Sequence, residues 1–417
     1  MRAPVKPPSR YRRLSAIRSA VALLNETTAA FHYDLRSDID ELAEDLKKAA
    51  RGQPPLDDFN DHLKSGIRSL CGQMEAVAYC LTKAVLSDAP KATLTIRNED
   101  LAVLEERDYD PDTDTCSPRC RRYPLSRRFE VACRHFLSLC GANVRDPIDP
   151  ATAQHLQLLT RARNNFTHPT RLEHMIVTPA FEHFRQIAYW FPAQSIHVLS
   201  AAAETLGLPA PHRPPPMPPT PLLTFSVTPE DVFDRDFYHR VFSDPSIAIK
   251  YIRFFSQQLH DELTRAFDRC RDALFPPYQL LPIGRAVRRM IRAMTTNAEG
   301  TMGFAAFFMR ALRRFKGGVS VPQHAKGASV PERLLDTLSA FSNAFGSGAP
   351  LTKDASWAAL CATFKIRDRL THPKSPRHVA LTVDDLDEPM KALGWLLEQA
   401  YPAAFLDHNK LAGFYAP

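Results

Sequence analysis

No apolar run in this chain reaches the ~20 residues that cross a bilayer, so no membrane partner is expected. The basic N-terminus, MRAPVKPPSRYRRLSAIRSAVALL, holds only a short apolar stretch broken by Arg18, and no cleavage site of small residues follows. It reads as an arm entering a helix, and the protein as cytoplasmic. Runs of alternating β-branched residues are almost absent, which argues against extended sheet. Also missing are GxGxxG, the P-loop string and the G-x-S-x-G elbow. The common nucleotide-binding and serine-hydrolase classes are thereby set aside.

The eight cysteines form no metal-ligand framework. Cys116 and Cys120, with Cys133, His135 and Cys140, raise a zinc question, but the spacing is not that of a common finger and 133–140 reads as a helix facing a core. The run DYDPDTD (108–114) lacks the Gly and final Glu of an EF-hand loop. The expectation is no metal and no cofactor.

What is present is 417 residues, 44% of them hydrophobic and 24% charged, enough for two cores. The net charge of +7 favours a polyanionic partner without establishing one. A Pro-rich segment, LPAPHRPPPMPPTPLL, divides the chain into an N-terminal domain (1–207), a linker (208–223) expected to run as polyproline II, and a C-terminal domain (224–417).

The halves repeat. RFEVACRHFLSLCG (128–141) aligns with RLLDTLSAFSNAFG (333–346), and DPATAQHLQLLTRARNNFTHP (149–169) with KDASWAALCATFKIRDRLTHP (353–373). One offset relates Arg163 to Arg367, His168 to His372, His174 to His378 and Thr178 to Thr382. IRSLCGQME (67–75) matches IRAMTTNAE (291–299) at a longer offset, which puts extra length in the first half. That length is assigned to 97–122, acidic then basic and without helical period, including an acidic loop at 99–114. Apolar residues elsewhere recur at three and four, giving helices near 15–50, 62–88, 125–140, 151–167 and 178–203. The second half gives 229–243, 245–274, 284–315, 331–345, 354–371 and 382–402. The fold expected is all-α: two tandem helical bundles packed as a pseudo-twofold pair.

The repeated string R-[N/D]-x-x-T-H-P closes the same helix in each half. A His before proline is pushed out of the α region, so His168 and His372 leave their helices, with Arg163 and Arg367 about one and a half turns earlier. Asn164 and Asp368 follow each arginine and offer a polar group to hold it. Arg plus His without a carboxylate cluster suits RNA transphosphorylation. A His takes the 2′-OH proton or protonates the 5′-oxygen, and a guanidinium holds the phosphate oxygens. Two facing copies supply both base and acid, and the products are a 2′,3′-cyclic phosphate and a 5′-OH. A helix cap with its arginine tied to a buried acid is the structural alternative.

These motifs resemble those of the HEPN superfamily, all-α domains in which two units typically pair to form one ribonuclease site. The resemblance implies catalytic roles for Arg163, His168, Arg367 and His372, with RNA as substrate. It makes Glu75 and Glu299 similar to the acidic residue on an earlier helix of such domains. Such domains often act as toxins or in antiphage defence, which implies a regulatory protein partner or trigger. His174 and His378 are candidate phosphate contacts or structural turn residues. A non-catalytic RNA- or protein-binding module is the alternative function. Both a monomer with an internal pseudo-dimer and a homodimer satisfy the pairing.

Overall fold

The computed structural model describes residues 10–51, 56–87, 94, 96–142, 148–209, 235–273, 280–316, 318–324, 327–346, 348–371, 378 and 380–404. The first nine residues of the N-terminal arm and positions 210–223 of the Pro-rich linker lie outside them. Among the described residues the fold is all-α apart from one two-stranded hairpin. No helix among the described residues is long and apolar enough to cross a membrane.

The chain forms two compact units, one of residues 1–161, 180–223 and 372–379, the other of 162–179, 224–371 and 380–417. The division is therefore not a single cut at the linker. The segment after position 161 that carries the first motif's Arg163 and His168 belongs to the second unit.

In the first unit, α1 (Arg10–Ala50) packs along α2 (Leu56–Val85). Ile17, Leu24, Phe31, Leu35, Leu42 and Leu46 repeat at four and seven and are buried along one stripe of α1. Fully burying one such side chain, Phe31 for example, stabilises by about 1.5–3 kcal/mol. The same interface carries polar groups: the buried Asp38 accepts from Ser69 Oγ (3.2 Å), and His62 Nδ1 lies 2.7 Å from the buried Asp45.

The stretch 97–122, expected to be irregular, contains α3 (Asn98–Glu105) and a hairpin of β1 (Arg107–Asp110) and β2 (Thr115–Cys120). Eight residues are too few to display a helical period, and strands exposed on both faces have no apolar alternation to display. The acidic run builds the hairpin turn. Asp110 accepts from the Asp112 amide (3.0 Å) and Thr113 Oγ1 (2.9 Å), and Asp114 takes a left-handed φ of 48°. Cys116 and Cys120 stand on β2.

Next comes α4 (Leu125–Cys140), whose buried Cys133 is a core side chain with its thiol pushed up by burial. Gly141 closes α4 at φ 74°, with the Ala142 amide donating to Leu137 O. The buried Asp100 of α3 lies against α4, accepting from His135 (3.0 Å), Arg127 (3.2 Å) and Arg134 (3.3 Å). The His135 contact, then the arginines, hold its carboxyl below the usual carboxylate range against the opposing effect of burial. The Asp100 carboxylate is thus neutralised within its own unit. After α5 (Pro150–Thr167), α6 (Phe181–Leu206) completes the set, packing Trp190 and Phe191 on Phe129.

Besides the segment 162–179, the second unit holds α7 (Arg235–Ser243) and α8 (Pro245–Ala273), both packed on α9 (Leu280–Lys316). Then follow α10 (Val330–Phe345), α11 (Ala355–Thr371) and α12 (Asp387–Trp395), and a π turn (Leu396–Ala400) leading into α13 (Tyr401–Ala404). A Ser329/Glu332 capping box starts α10. Unlike Gly141, Gly346 is extended (φ −106°), so the two aligned helices end differently. Phe304, Phe308, Phe341 and Phe345 form an aromatic core, and Trp357 packs on Trp395 at 4.9 Å.

Candidate functional site

Helix α5 starts on an Asp149 cap, which accepts from the Thr152 amide (3.0 Å), with Pro150 opening the first turn. It ends because Pro169 cannot continue it; the His168 amide makes the closing bond to Asn164 O at 3.0 Å. His168 is lifted off the helix end and its side chain is 54% exposed. Arg163, one and a half turns earlier, donates from Nε and Nη2 to Asn164 Oδ1 at 3.3 and 3.2 Å.

The second motif is built differently. Arg367 on α11 is nearly buried and donates to Glu299 Oε1 of α9. Its other Nη lies 3.1 Å from Asp368, and its guanidinium is 5.3 Å from the Phe364 ring centre. In both motifs the residue after the arginine holds that arginine.

Glu299 links the two motifs. Its side chain is 2% exposed; Oε1 takes Arg367 of the second motif, and Oε2 lies 2.6 Å from His168 Nδ1 of the first. All three residues lie within the second unit. Oε2 has no hydrogen-bond partner among the described residues, the ring N–H lying off the line such a bond needs, so the His168 contact is an ion-pair distance without hydrogen-bond alignment. A carboxylate beside Nδ1 orients an imidazole and leaves Nε2 for proton transfer.

The segment after His168 is fixed against α9 by two glycines. A Cβ at Gly300 would meet Pro169 Cγ at 2.9 Å, and one at Gly303 would meet the Pro169 carbonyl oxygen at 2.8 Å. Only glycine lets the two backbones come this close. Further on, Arg171 pairs with Glu173 (3.0 Å) and lies over the Tyr238 and Phe307 rings at 5.8 and 6.0 Å. Tyr238 donates its hydroxyl to Glu173; burial, then neighbouring Tyr251, pushes the phenol well above its ordinary range.

Glu75 on α2 is buried and stands 3.6 Å from Arg128, not on the pattern of Glu299 with its motif arginine. His174 is engaged in the turn, its Nδ1 receiving the Thr170 amide at 3.2 Å. His378 is half-buried, and its neighbours 372–377 and 379 lie outside the described residues. His372 is among those outside.

The sequence reading missed the meeting of Glu299 with His168 and the clamp at Gly300, Gly303, Glu173 and Tyr238. One signal was present: AEGTMG places two small residues, at one and four positions past the acid, on the face of α9 that Glu299 shares. Among the described residues no group of three His, Cys, Asp or Glu side chains gathers as metal ligands. No family model, curated protein or solved structure matches the chain.

Proposed function

We propose that this chain is a HEPN-type endoribonuclease that cleaves RNA by attack of a 2′-OH on the adjacent phosphate. The reading draws on both motifs. The observation that carries it is the bridging of Glu299 between Arg367 of one motif and His168 of the other. A buried carboxylate holding an exposed imidazole is what a general base or acid needs, and Nε2 is the atom that exchanges the proton. In-line attack requires a second proton-transfer group on the leaving 5′-oxygen, a role the repeat assigns to His372. Arg163 is assigned to the phosphate oxygens, with Asn164 restraining its guanidinium. The new bond joins the 2′-oxygen to phosphorus and the 5′-oxygen leaves with a proton, giving a 2′,3′-cyclic phosphate and a 5′-OH. A role as a toxin or defence effector under a partner's control follows from the HEPN resemblance alone.

One observation favours the second reading, a non-catalytic RNA- or protein-binding module. Arg367 is buried and bound to Glu299 and Asp368, so its guanidinium is committed to protein groups. Incubating the full chain with RNA in excess EDTA separates the two. Products ending in a 2′,3′-cyclic phosphate, absent with His168→Ala, support the nuclease. Binding without cleavage across single-stranded, structured and transfer RNAs favours the module.

A further inference from the structure

The segment after His168 runs along one face of α9: His168 at Glu299, Pro169 at Gly300 and Gly303, Arg171 at Phe307. That face continues. Arg310 lies eleven residues past Glu299, close to three full turns, so it stands almost directly in line about 17 Å further along. Arg314 follows one turn later on the same side, with Arg313 beside it. All three are exposed, and none forms an ion pair or hydrogen bond among the described residues. Arginines in the last turn of a helix gain from its dipole, which accounts in part for Arg313 and Arg314 but not for Arg310. At the end of α9 opens a groove of about 550 Å³ lined by Arg313, Val319, Ser320 and Gln323, with no acidic side chain in its wall.

We infer that this row, Arg171, Arg310, Arg313 and Arg314, is the track that holds the phosphates of single-stranded RNA flanking the cleaved bond, with the groove as its far end. The inference rests on the ribonuclease reading for the position of the cleaved bond, but the track binds RNA whether or not the chain cuts it. The cationic groups recur at roughly one-turn steps, as the phosphates of an extended strand require, and nothing in the row reads a base. The site is therefore tolerant of sequence and sensitive to salt. Arg310, Arg313 and Arg314, exposed and without acidic partners, are in the form in which cations stay available to a polyanion, while Arg171, paired with Glu173, marks the end of the row nearest His168.

The test is fluorescence anisotropy of a labelled, fully 2′-O-methylated single-stranded RNA, which cannot be cut through its 2′-oxygen, titrated with the full chain over a salt series. The probe variant is Arg310→Ala/Arg313→Ala/Arg314→Ala; Ala is a strong helix former, so α9 persists. The control removes three exposed charges of the first unit: Arg51→Ala/Lys83→Ala/Arg122→Ala. At low salt, the probe variant loses roughly tenfold in affinity, and its slope of log K against log salt is shallower by about 2, near 0.7 for each phosphate no longer held. The control changes neither by a comparable amount. Equal losses in probe and control overturn the inference, because binding is then diffuse. Unchanged binding by the probe variant overturns it outright. Displacement of the RNA by poly-glutamate at equal charge concentration also overturns it, in favour of an acidic protein surface. Loss of binding in the probe variant, with no cleavage of ordinary RNA by wild type, keeps the track and refutes the nuclease. Cleavage by the probe variant with an unchanged KM refutes the track and keeps the nuclease.

Discussion

Replacing Glu299 by Gln takes one charge out of a nearly dry site and leaves the Arg367 guanidinium, 10% exposed, without its buried counter-ion. Breaking a buried pair by removing one partner costs about 3–5 kcal/mol. Two features reduce that here. The glutamine oxygen still accepts a hydrogen bond, and Asp368 remains 3.1 Å from Arg367, although at 65% exposure it contributes ~1 kcal/mol or less. The expected loss for Glu299→Gln is therefore about 2–4 kcal/mol. Arg367→Met strands the carboxylate instead, with only the exposed His168 near it, and costs about 3–5 kcal/mol. The double variant removes both charges, so the coupling energy is about 2 kcal/mol or more. The assay is urea unfolding followed by tryptophan fluorescence. Trp357 and Trp395 lie in the second unit and Trp190 in the first, so a Trp190→Phe background makes the signal report the second unit alone. A coupling below about 0.5 kcal/mol refutes the pairing of Glu299 with Arg367, because a solvated pair gives that value.

Gly303→Ala places a methyl 2.8 Å from the Pro169 carbonyl oxygen and displaces the backbone that carries His168. Cleavage falls about a hundredfold, as for an ångström-scale misplacement of a reacting group, while α9 itself is not weakened. Enzyme kinetics beside thermal melting checks both. His155 and His183 meet in the first unit with Nδ1 atoms 2.8 Å apart; burial, then His155, holds the His183 imidazole below its ordinary value. A depressed folded value means the stabilisation is complete above the unfolded value of about 6.5 and is lost as pH falls through the folded one. The melting temperature, followed through Trp190, should fall between about pH 7.5 and 5.5, and His183→Gln should flatten that fall. Asp100→Asn leaves Arg127, Arg134 and His135 without their shared carboxylate and should destabilise α3 and the hairpin by about 3 kcal/mol. Faster amide exchange over 98–120 is the readout. Because the Asp100 carboxyl is held low, its contribution is present above about pH 3.9 and lost only as pH falls further.

The helices were legible because their cause is local. Apolar spacing at three and four, Asp149 before Pro150 and Gly141 after Cys140 fix α4 and α5 within a residue of their expected ends. The end of α5 at the His-Pro step was equally readable, since proline's geometry acts on its neighbour. Where the cause is non-local the reading stopped. That His168 stands beside Glu299 depends on the segment 162–179 packing in the second unit, and a repeat cannot disclose which copy an element packs with. Glu75 and Glu299 occupy aligned positions, yet one stands by Arg128 and the other by Arg367 and His168. The hairpin was missed because its exposed strands carry no core pattern, and the left-handed turn at Asp114 has no glycine to mark it.

The central claim is that His168 and Arg367, drawn from different motifs, work as one unit: the Glu299 carboxylate that takes Arg367 also sets His168 for proton transfer at the phosphate. The most direct test is cleavage of a single-stranded RNA in EDTA by wild type, His168→Ala, Arg367→Ala and the double variant. Groups that act as a unit are non-additive, so each single change should abolish cleavage to 2′,3′-cyclic ends and the double variant should be no worse than either. Half-activity in each single variant, with none left in the double, contradicts the account, because the two motifs then work as separate sites.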